Sequence, residues 1–294
     1  IEKKEKNAII SNNKSMTHPS KTHKTNITDN IHGVNISDPY RWLEKTDHPK
    51  VKKWVDQQNK HTNLNLSRIR PRSKIKKRLE KIFKVDSFSV PVSRNNYIFF
   101  TKRKKTDNLD ILYVQKGLRG VPKILINSND LSKDKTVILR SWQPSNDGKL
   151  ITYSLSSSAN DQSSIHVLDV ERNTKLSDII PAEVYPALYS PIEWSCDNKG
   201  FWYTRTDPMS PKNEMKFNQK IFYHQLGDAL KNDEMVFGKT IAKEDIPSLQ
   251  TSHDGRYLLV SVHKFSTTKE KTELYLYDTT NKDKGFIPIV KDKE

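Results

Sequence analysis

Asn146-Asp147-Gly148-Lys149-Leu150-Ile151-Thr152-Tyr153 reads as a tight turn running straight into a β-rich strand. Gly and Asn supply the positive φ that such a turn needs, and Ile, Thr and Tyr favour the extended backbone that follows it. The pattern recurs. Asp197-Asn198-Lys199-Gly200 leads into Phe201-Trp202-Tyr203, and Asp254-Gly255 leads into Tyr257-Leu258-Leu259-Val260. A fourth β-rich run, Asn96-Tyr97-Ile98-Phe99-Phe100, lies upstream.

Working outward, each run is followed by a second strand: Ile111–Val114, Ile165–Leu168, Ile221–His224 and Leu274–Tyr277. Taking Tyr113, Val167, Tyr223 and Leu276 as markers, the spacings are 54, 56 and 53 residues. Third strands are predicted at Lys123–Ile126, Lys175–Ile180, Glu234–Phe237 and Phe286–Val290. Strands preceding the turns are predicted at Val137–Trp142, Leu188–Trp194 and Pro247–Thr251. Four strands repeating every fifty-odd residues describe the blades of a β-propeller, whereas a helical solenoid would need a 3.6-residue periodicity that is absent after residue 85. The fold class expected is therefore mainly β: a partial β-propeller of about four four-stranded blades over 85–294, with the completeness of the last left open.

Residues 26–84 read differently. Asp38-Pro39 places a capping acceptor before a proline suited to a first helical position, and a short turn through Tyr40–Glu44 follows. From Asp47, Val51, Trp54, Val55 and Gln58 share one helical face; Pro71 ends that helix, and Ile75, Leu79, Ile82 and Phe83 align in another. Residues 1–25 are polar without periodicity and are expected to be a disordered basic tail.

Lys and Arg number 51 against 35 Asp and Glu, a net charge of +16. The lysines read as spread along the chain, and the one dense run, Lys102-Arg103-Lys104-Lys105, reads as a solvated loop between strands. No DNA- or RNA-binding signature accompanies the charge, which argues against a nucleic-acid partner. Cys196 is the only cysteine, so no internal disulfide forms. No apolar run reaches membrane-spanning length, and no secretory leader is legible at Ile1–Ser11. A cytoplasmic location is expected, with a periplasmic one left open because the chain begins with Ile. The nine histidines show no metal-binding spacing, and no phosphate or dinucleotide loop is present, so neither metal nor cofactor is expected.

The stretch Gly33-Val34-Asn35-Ile36-Ser37-Asp38-Pro39-Tyr40-Arg41-Trp42-Leu43-Glu44, followed by Val51, Trp54, Val55 and Gln58-Asn59, resembles the opening segment of the prolyl oligopeptidase family of serine-type endopeptidases. The resemblance continues through Leu112-Tyr113-Val114-Gln115, Asp130-Leu131-Ser132, Asp147–Ser156, Lys199–Tyr203, Gln219–Gly227 and Asp254–Leu259, from about residue 27 to the end. It implies a seven-bladed propeller inserted into an α/β-hydrolase domain. The N-terminal helical segment would dock on that hydrolase domain, and the propeller would admit only short proline-containing peptides for cleavage after proline. The Ser, Asp and His of that family follow the propeller.

None of the nine glycines forms the Gly-x-Ser-x-Gly of a nucleophile elbow, so no catalytic residue is assigned here. Ser252-His253-Asp254 has the right residue types, but neighbours in one turn cannot converge on a substrate atom. His166 and His224 are expected to be packed strand residues, and Trp142, Trp194 and Trp202 to pack between blades at related positions. Trp42 and Trp54 are expected to anchor the helical segment to the hydrolase surface. These residues are thus expected to be inactive alone and to gate and support a catalytic hydrolase half absent from them; the alternative is a non-catalytic propeller fragment serving as a protein-interaction module.

Overall fold

The computed structural model describes residues 19–157, 163–184, 186, 191–211, 214, 215, 217–267 and 271–291. The chain divides into two compact units, Ile1–Phe83 and Lys84–Glu294.

The first unit opens with a hairpin that the sequence reading missed: β1 (Thr28–Ile31) pairs antiparallel with β2 (Val34–Ser37). His32 and Gly33 both take positive φ (51° and 83°), the backbone that a two-residue hairpin turn requires. A 3-10 turn at Arg41–Glu44 follows, beginning later than expected. Asp38 does not cap it: the N-cap is Tyr40, without a side-chain cap, and Asp38 instead accepts from the Tyr40 N–H at 3.2 Å and from Arg41 Nε at 2.6 Å. Helix α1 (Pro49–Ser67) starts at Pro49 rather than Asp47, because His48 Nδ1 accepts the Lys50 N–H at 3.1 Å. Helix α1 ends at Ser67, with Arg68 as its C-cap, short of the stop expected at Pro71, and helix α2 (Pro71–Phe83) begins on that proline.

The expected disordered tail needs correction in part. Residues 1–18 lie outside the described residues. Thr22 and His23, however, are strapped down by indole N–H groups: Trp54 Nε1 donates to Thr22 Oγ1 at 3.0 Å, and Trp42 Nε1 to the His23 carbonyl at 2.9 Å. The Thr25 N–H donates to the Pro39 carbonyl at 2.9 Å.

The second unit is four antiparallel sheets in a propeller-like arrangement, as the repeat predicts. Blade 1 holds β3 (Ser87–Phe88), β4 (Val92–Arg94), β5 (Tyr97–Arg103), β6 (Ile111–Lys116) and β7 (Lys123–Asn127). Blade 2 holds β8 (Val137–Pro144), β9 (Leu150–Ser157), β10 (Ser163–Asp169) and β11 (Thr174–Ile180). Blade 3 holds β12 (Glu193–Trp194), β13 (Gly200–Thr206), β14 (Gln219–Gln225) and β15 (Glu234–Phe237). Blade 4 holds β16 (Ile246–Thr251), β17 (Tyr257–Lys264), β18 (Lys271–Asp278) and β19 (Phe286–Val290), and is complete. Only Glu193–Trp194 of the strand expected at Leu188–Trp194 is extended, and 187–190 lie outside the described residues. Lys102 and Arg103 belong to β5 rather than to a solvated loop, and Lys102 Nζ sits 4.9 Å from the Phe88 ring centroid.

Three apolar cores hold the blades together, one at each junction. Phe99 and Leu112 of blade 1 meet Ile151 and Tyr153 of blade 2. Ile165 and Ile180 of blade 2 meet Trp194, Phe201 and Tyr203 of blade 3. Trp202 and Ile221 of blade 3 meet Leu249, Leu258 and Val260 of blade 4. The first strands of successive sheets contact one another, β8 with β12 and β12 with β16, which sets them on the axial side.

The outer faces of the end blades are also apolar. On blade 4, Leu259, Leu276 and Ile287 sit on the face opposite Leu258 and Val260, and Ile287 is 47% exposed. On blade 1, Phe88, Phe100 and Tyr113 form an aromatic row, with the last two stacked at 5.6 Å. Sedimentation of the 294-residue chain is therefore expected to show concentration-dependent self-association, weakened by Ile287→Lys. A sharp, concentration-independent unfolding transition from a monodisperse monomer would count against that expectation.

Candidate functional site

The turn that recurs through the propeller has one construction. Ser145, Ser195 and Ser252 each donate a side-chain hydrogen bond to the aspartate two residues on, Asp147, Asp197 and Asp254, at 2.7, 2.7 and 2.6 Å. Each aspartate accepts a backbone N–H two residues later, and each serine Oγ accepts the N–H that opens the next strand, from Leu150, Gly200 or Tyr257. Ser252 and Asp254 thus do in blade 4 what Ser145 and Asp147 do in blade 2. With its hydroxyl and carboxylate committed to each other, Ser252-His253-Asp254 is a turn and has the geometry of no relay.

This turn delivers the axial strands to a polar junction. Glu193 on β12, 6% exposed, accepts from Thr251 Oγ1 of β16 at 2.6 Å and from Gln143 Nε2 of β8 at 3.4 Å. One carboxylate therefore ties the axial strands of three successive blades. Burial pushes the Glu193 carboxyl up, opposed by the Thr251 hydrogen bonds and by the positive charge of Arg94 on β4. Trp194 adds a third tie, its Nε1 donating to the Gln143 carbonyl at 2.9 Å. The reading by residue type missed Glu193. Aligning the turns on their serines would have found it, because Gln143, Glu193 and Gln250 then fall on one position, polar in all three blades that carry the turn.

A second buried junction lies between blades 2 and 3. His224 of β14, 1% exposed, faces Asp233 Oδ1 through Nδ1 at 2.7 Å and Asp178 Oδ1 of β11 through Nε2 at 3.3 Å. Tyr203 donates its hydroxyl to Asp233 Oδ2 at 2.6 Å, and the Gly227 N–H donates to Asp178 at 2.5 Å. Both ring nitrogens thus face carboxylate oxygens, and only the imidazolium can donate to both. Burial works against that charge, but the hydrogen bonds and charges of Asp233 and Asp178 outweigh it and raise the His224 pKa. His166 is the opposite case. Burial and nearby Lys175 lower its pKa, and its Nε2 lies 2.7 Å from Ser164 Oγ.

The three propeller tryptophans pack between blades, though not at one repeated position. Trp142 lies against the core of blades 1 and 2, Trp194 in that of blades 2 and 3, and Trp202 in that of blades 3 and 4. Trp142 and Trp194 sit on axial strands two residues apart in turn register, and Trp202 is on the second strand of its blade. In the first unit, Trp42 and Trp54 meet edge to face at 6.4 Å and line a concavity of about 700 Å³ with Lys21, Lys45, Lys50 and Lys53. Among the described residues no cluster of His, Cys, Asp and Glu could hold a metal ion, and no helix is long and apolar enough to cross a membrane.

The family described as prolyl oligopeptidase, N-terminal β-propeller domain, matches residues 19–294. The chain is 30% identical over 288 residues to a prolyl endopeptidase of Elizabethkingia meningoseptica, covering 96% of this chain and 39% of that protein. It is 26% identical to a prolyl endopeptidase of Dictyostelium discoideum, covering 79% of this chain and 36% of that one. A solved chain from a structural and mechanistic analysis of two prolyl endopeptidases superposes with a TM-score of 0.78 at 31% identity, over 93% of this chain and 39% of that one. Prolyl oligopeptidase B from Galerina marginata, solved with a 35mer hydrolysis and macrocyclization substrate, shares the fold at a TM-score of 0.71 and 22% identity, over 92% of this chain and 41% of that one. The chain spans about two fifths of the length of these relatives.

His224 carries a pH prediction. A histidine whose folded pKa is raised stabilises fully below its unfolded pKa of about 6.5, and the contribution is lost as pH rises through the folded value. The thermal midpoint of the chain is expected to fall across that alkaline window. His224→Ala, which leaves two buried carboxylates without their cation, is expected to cost about 3–5 kcal/mol near neutral pH and to flatten the window. An unchanged pH profile in urea melts of the variant would refute the imidazolium assignment.

Proposed function

The chain belongs to the prolyl oligopeptidase family through its N-terminal β-propeller domain, and on that premise we propose that it forms the gating and supporting portion of a serine-type endopeptidase that cleaves short peptides after proline. The observation that carries this reading is the likeness to prolyl endopeptidases along nearly the whole chain, helical segment included.

The chemistry divides accordingly. Peptide hydrolysis by this family's route needs a hydroxyl activated by histidine and an oxyanion site of backbone N–H groups. The 294 residues contain no Gly-x-Ser-x-Gly, so the bond-breaking groups are assigned to an α/β-hydrolase domain outside them. The propeller's part is selection by size. Its blades are held at the axis by Glu193, Gln143 and Thr251 and between blades 2 and 3 by His224, so the axial strands stay together while a substrate passes. A passage of that kind admits an extended peptide and turns away a folded protein. The single exposed cysteine, Cys196, fits the cytoplasmic placement that we propose with it.

A chromogenic peptide whose leaving group follows proline tests the proposal. The purified chain is expected to be silent, and hydrolysis is expected when a separately produced hydrolase half is added. Association without hydrolysis would favour a propeller that serves as an interaction module. Activity from the 294 residues alone would overturn the assignment of the nucleophile.

A further inference from the structure

Among the described residues two cationic side chains are buried, Arg205 (5% exposed) and Lys220 (3%), and they pair across β13 and β14. Lys220 is provided for. Its Nζ donates to the Ile241 carbonyl at 3.2 Å, and the charges of Asp207 and Asp245 act on it. Arg205 is not. Its guanidinium lies 4.1 Å from the Phe222 ring centroid and 5.9 Å from that of Tyr203. Its Nε is enclosed without an acceptor, and among the described residues no carboxylate or carbonyl accepts from its terminal nitrogens. The carboxylates nearest along the chain are engaged: Asp207 Oδ1 accepts the Met209 N–H at 2.9 Å, and Glu214 pairs with Lys243 at 2.8 Å.

The strand sets where this cation stands. Phe201, Tyr203 and Arg205 alternate onto one face of β13, and the first two lie in the core between blades 2 and 3. Arg205 is at the end of that face away from the Ser195 turn. Its backbone meets Lys220 on one side and bridges Pro186 on the other, the side on which axial β12 pairs. It is therefore one strand from the axis, at the rim where residues 207–218 leave the sheet. Only Nε is sealed there; the terminal nitrogens, equally without acceptors, keep an opening.

A guanidinium carries five N–H donors and does not give up its proton, so enclosing it without acceptors costs more than stacking on a ring returns. An anion that arrives from outside supplies the missing acceptors. We propose that Arg205 is a specificity-determining residue of the propeller, taking a carboxylate of the peptide substrate, at its C-terminus or on an acidic side chain, in a two-pronged hydrogen bond. This rests on the reading of the chain as the selecting part of a peptidase, and it adds charge to selection by size. Peptide chemistry chooses the anion, because the negative groups of an unmodified peptide are carboxylates and the planar fork of arginine matches one.

The test is calorimetric titration of the full chain with three acetylated peptides of equal length that share an internal proline. One is amidated and uncharged, one has a free C-terminal carboxylate, and one is amidated with an aspartate beside the proline. At least one charged peptide is expected to bind about tenfold or more tighter than the uncharged one, and which of them does so names the source of the carboxylate. Arg205→Met is expected to erase that preference, and Arg205→Lys, which keeps the charge but loses the fork, to retain part of it. Removal of an unpaired buried cation is also expected to raise the thermal midpoint by about 2–4 °C. Equal affinities for the three peptides, no binding at millimolar concentration, or a preference that survives Arg205→Met would each overturn the proposal. A Met variant that melts lower and loses all three peptides alike would make Arg205 a structural cation and overturn it too. With a hydrolase half added, Arg205→Met is expected to raise KM for the carboxylate-bearing substrate about tenfold and leave kcat unchanged. Carboxylate preference in binding without hydrolysis in the mixture would keep the site and sink the peptidase reading. Hydrolysis indifferent to substrate charge and to Arg205→Met would do the reverse.

Discussion

A four-stranded blade carries apolar side chains on both faces, and nothing within one blade covers either of them. Every other feature of the propeller unit follows from that constraint. Phe99 and Leu112 are buried only because Ile151 and Tyr153 arrive from the next sheet, and Trp202 and Ile221 only because Leu258 and Val260 do. Stacking also sets the order of burial, with the junction cores nearly inaccessible while Ile287 and the Phe88–Phe100–Tyr113 row face outward from the end blades. Apolar burial is non-directional, however, and by itself leaves the sheets free to slide and rotate.

Direction comes from the few polar groups enclosed with those cores. Glu193 accepts from two neighbouring blades at the axis, and His224 bridges carboxylates from two blades farther out. Each would be costly if any partner withdrew, because a buried charge or carboxylate without its hydrogen bonds loses far more than an exposed one. The blades are thus pressed together by apolar area and indexed by hydrogen bonds.

The helical unit works by different physics. Its indoles are spent locally, holding Thr22 and His23 against the helices, and its charge is left largely uncompensated. Trp42 and Trp54, read from the sequence as anchors to another surface, hold the chain's own leading segment through Thr22 and His23.

The blade repeat was legible because it is local. Turn residues, β-branched runs and spacings of 54, 56 and 53 residues lie along the chain, and the strands appear where those signals put them except at 188–194, where only Glu193–Trp194 is extended among the described residues. The likeness of Gly33–Glu44 and of the later blade segments to one family was legible for the same reason. The 28–37 hairpin was not, since its strands are only four residues long and its turn, His32-Gly33, lacks the Asn-Gly or Asp-Gly pair that marks such a turn in sequence. What only the tertiary structure decided is the pairing of residues far apart in sequence. Asp178 with His224, Glu193 with Thr251, and the indoles with residues 22 and 23 are matched by how the chain returns on itself. A hydrogen bond depends on position and angle within a few tenths of an ångström, and neither is written in residue type or spacing. The sequence by itself settled a repeating β architecture and its family; the folded chain decided which polar groups hold it at the axis and between blades 2 and 3.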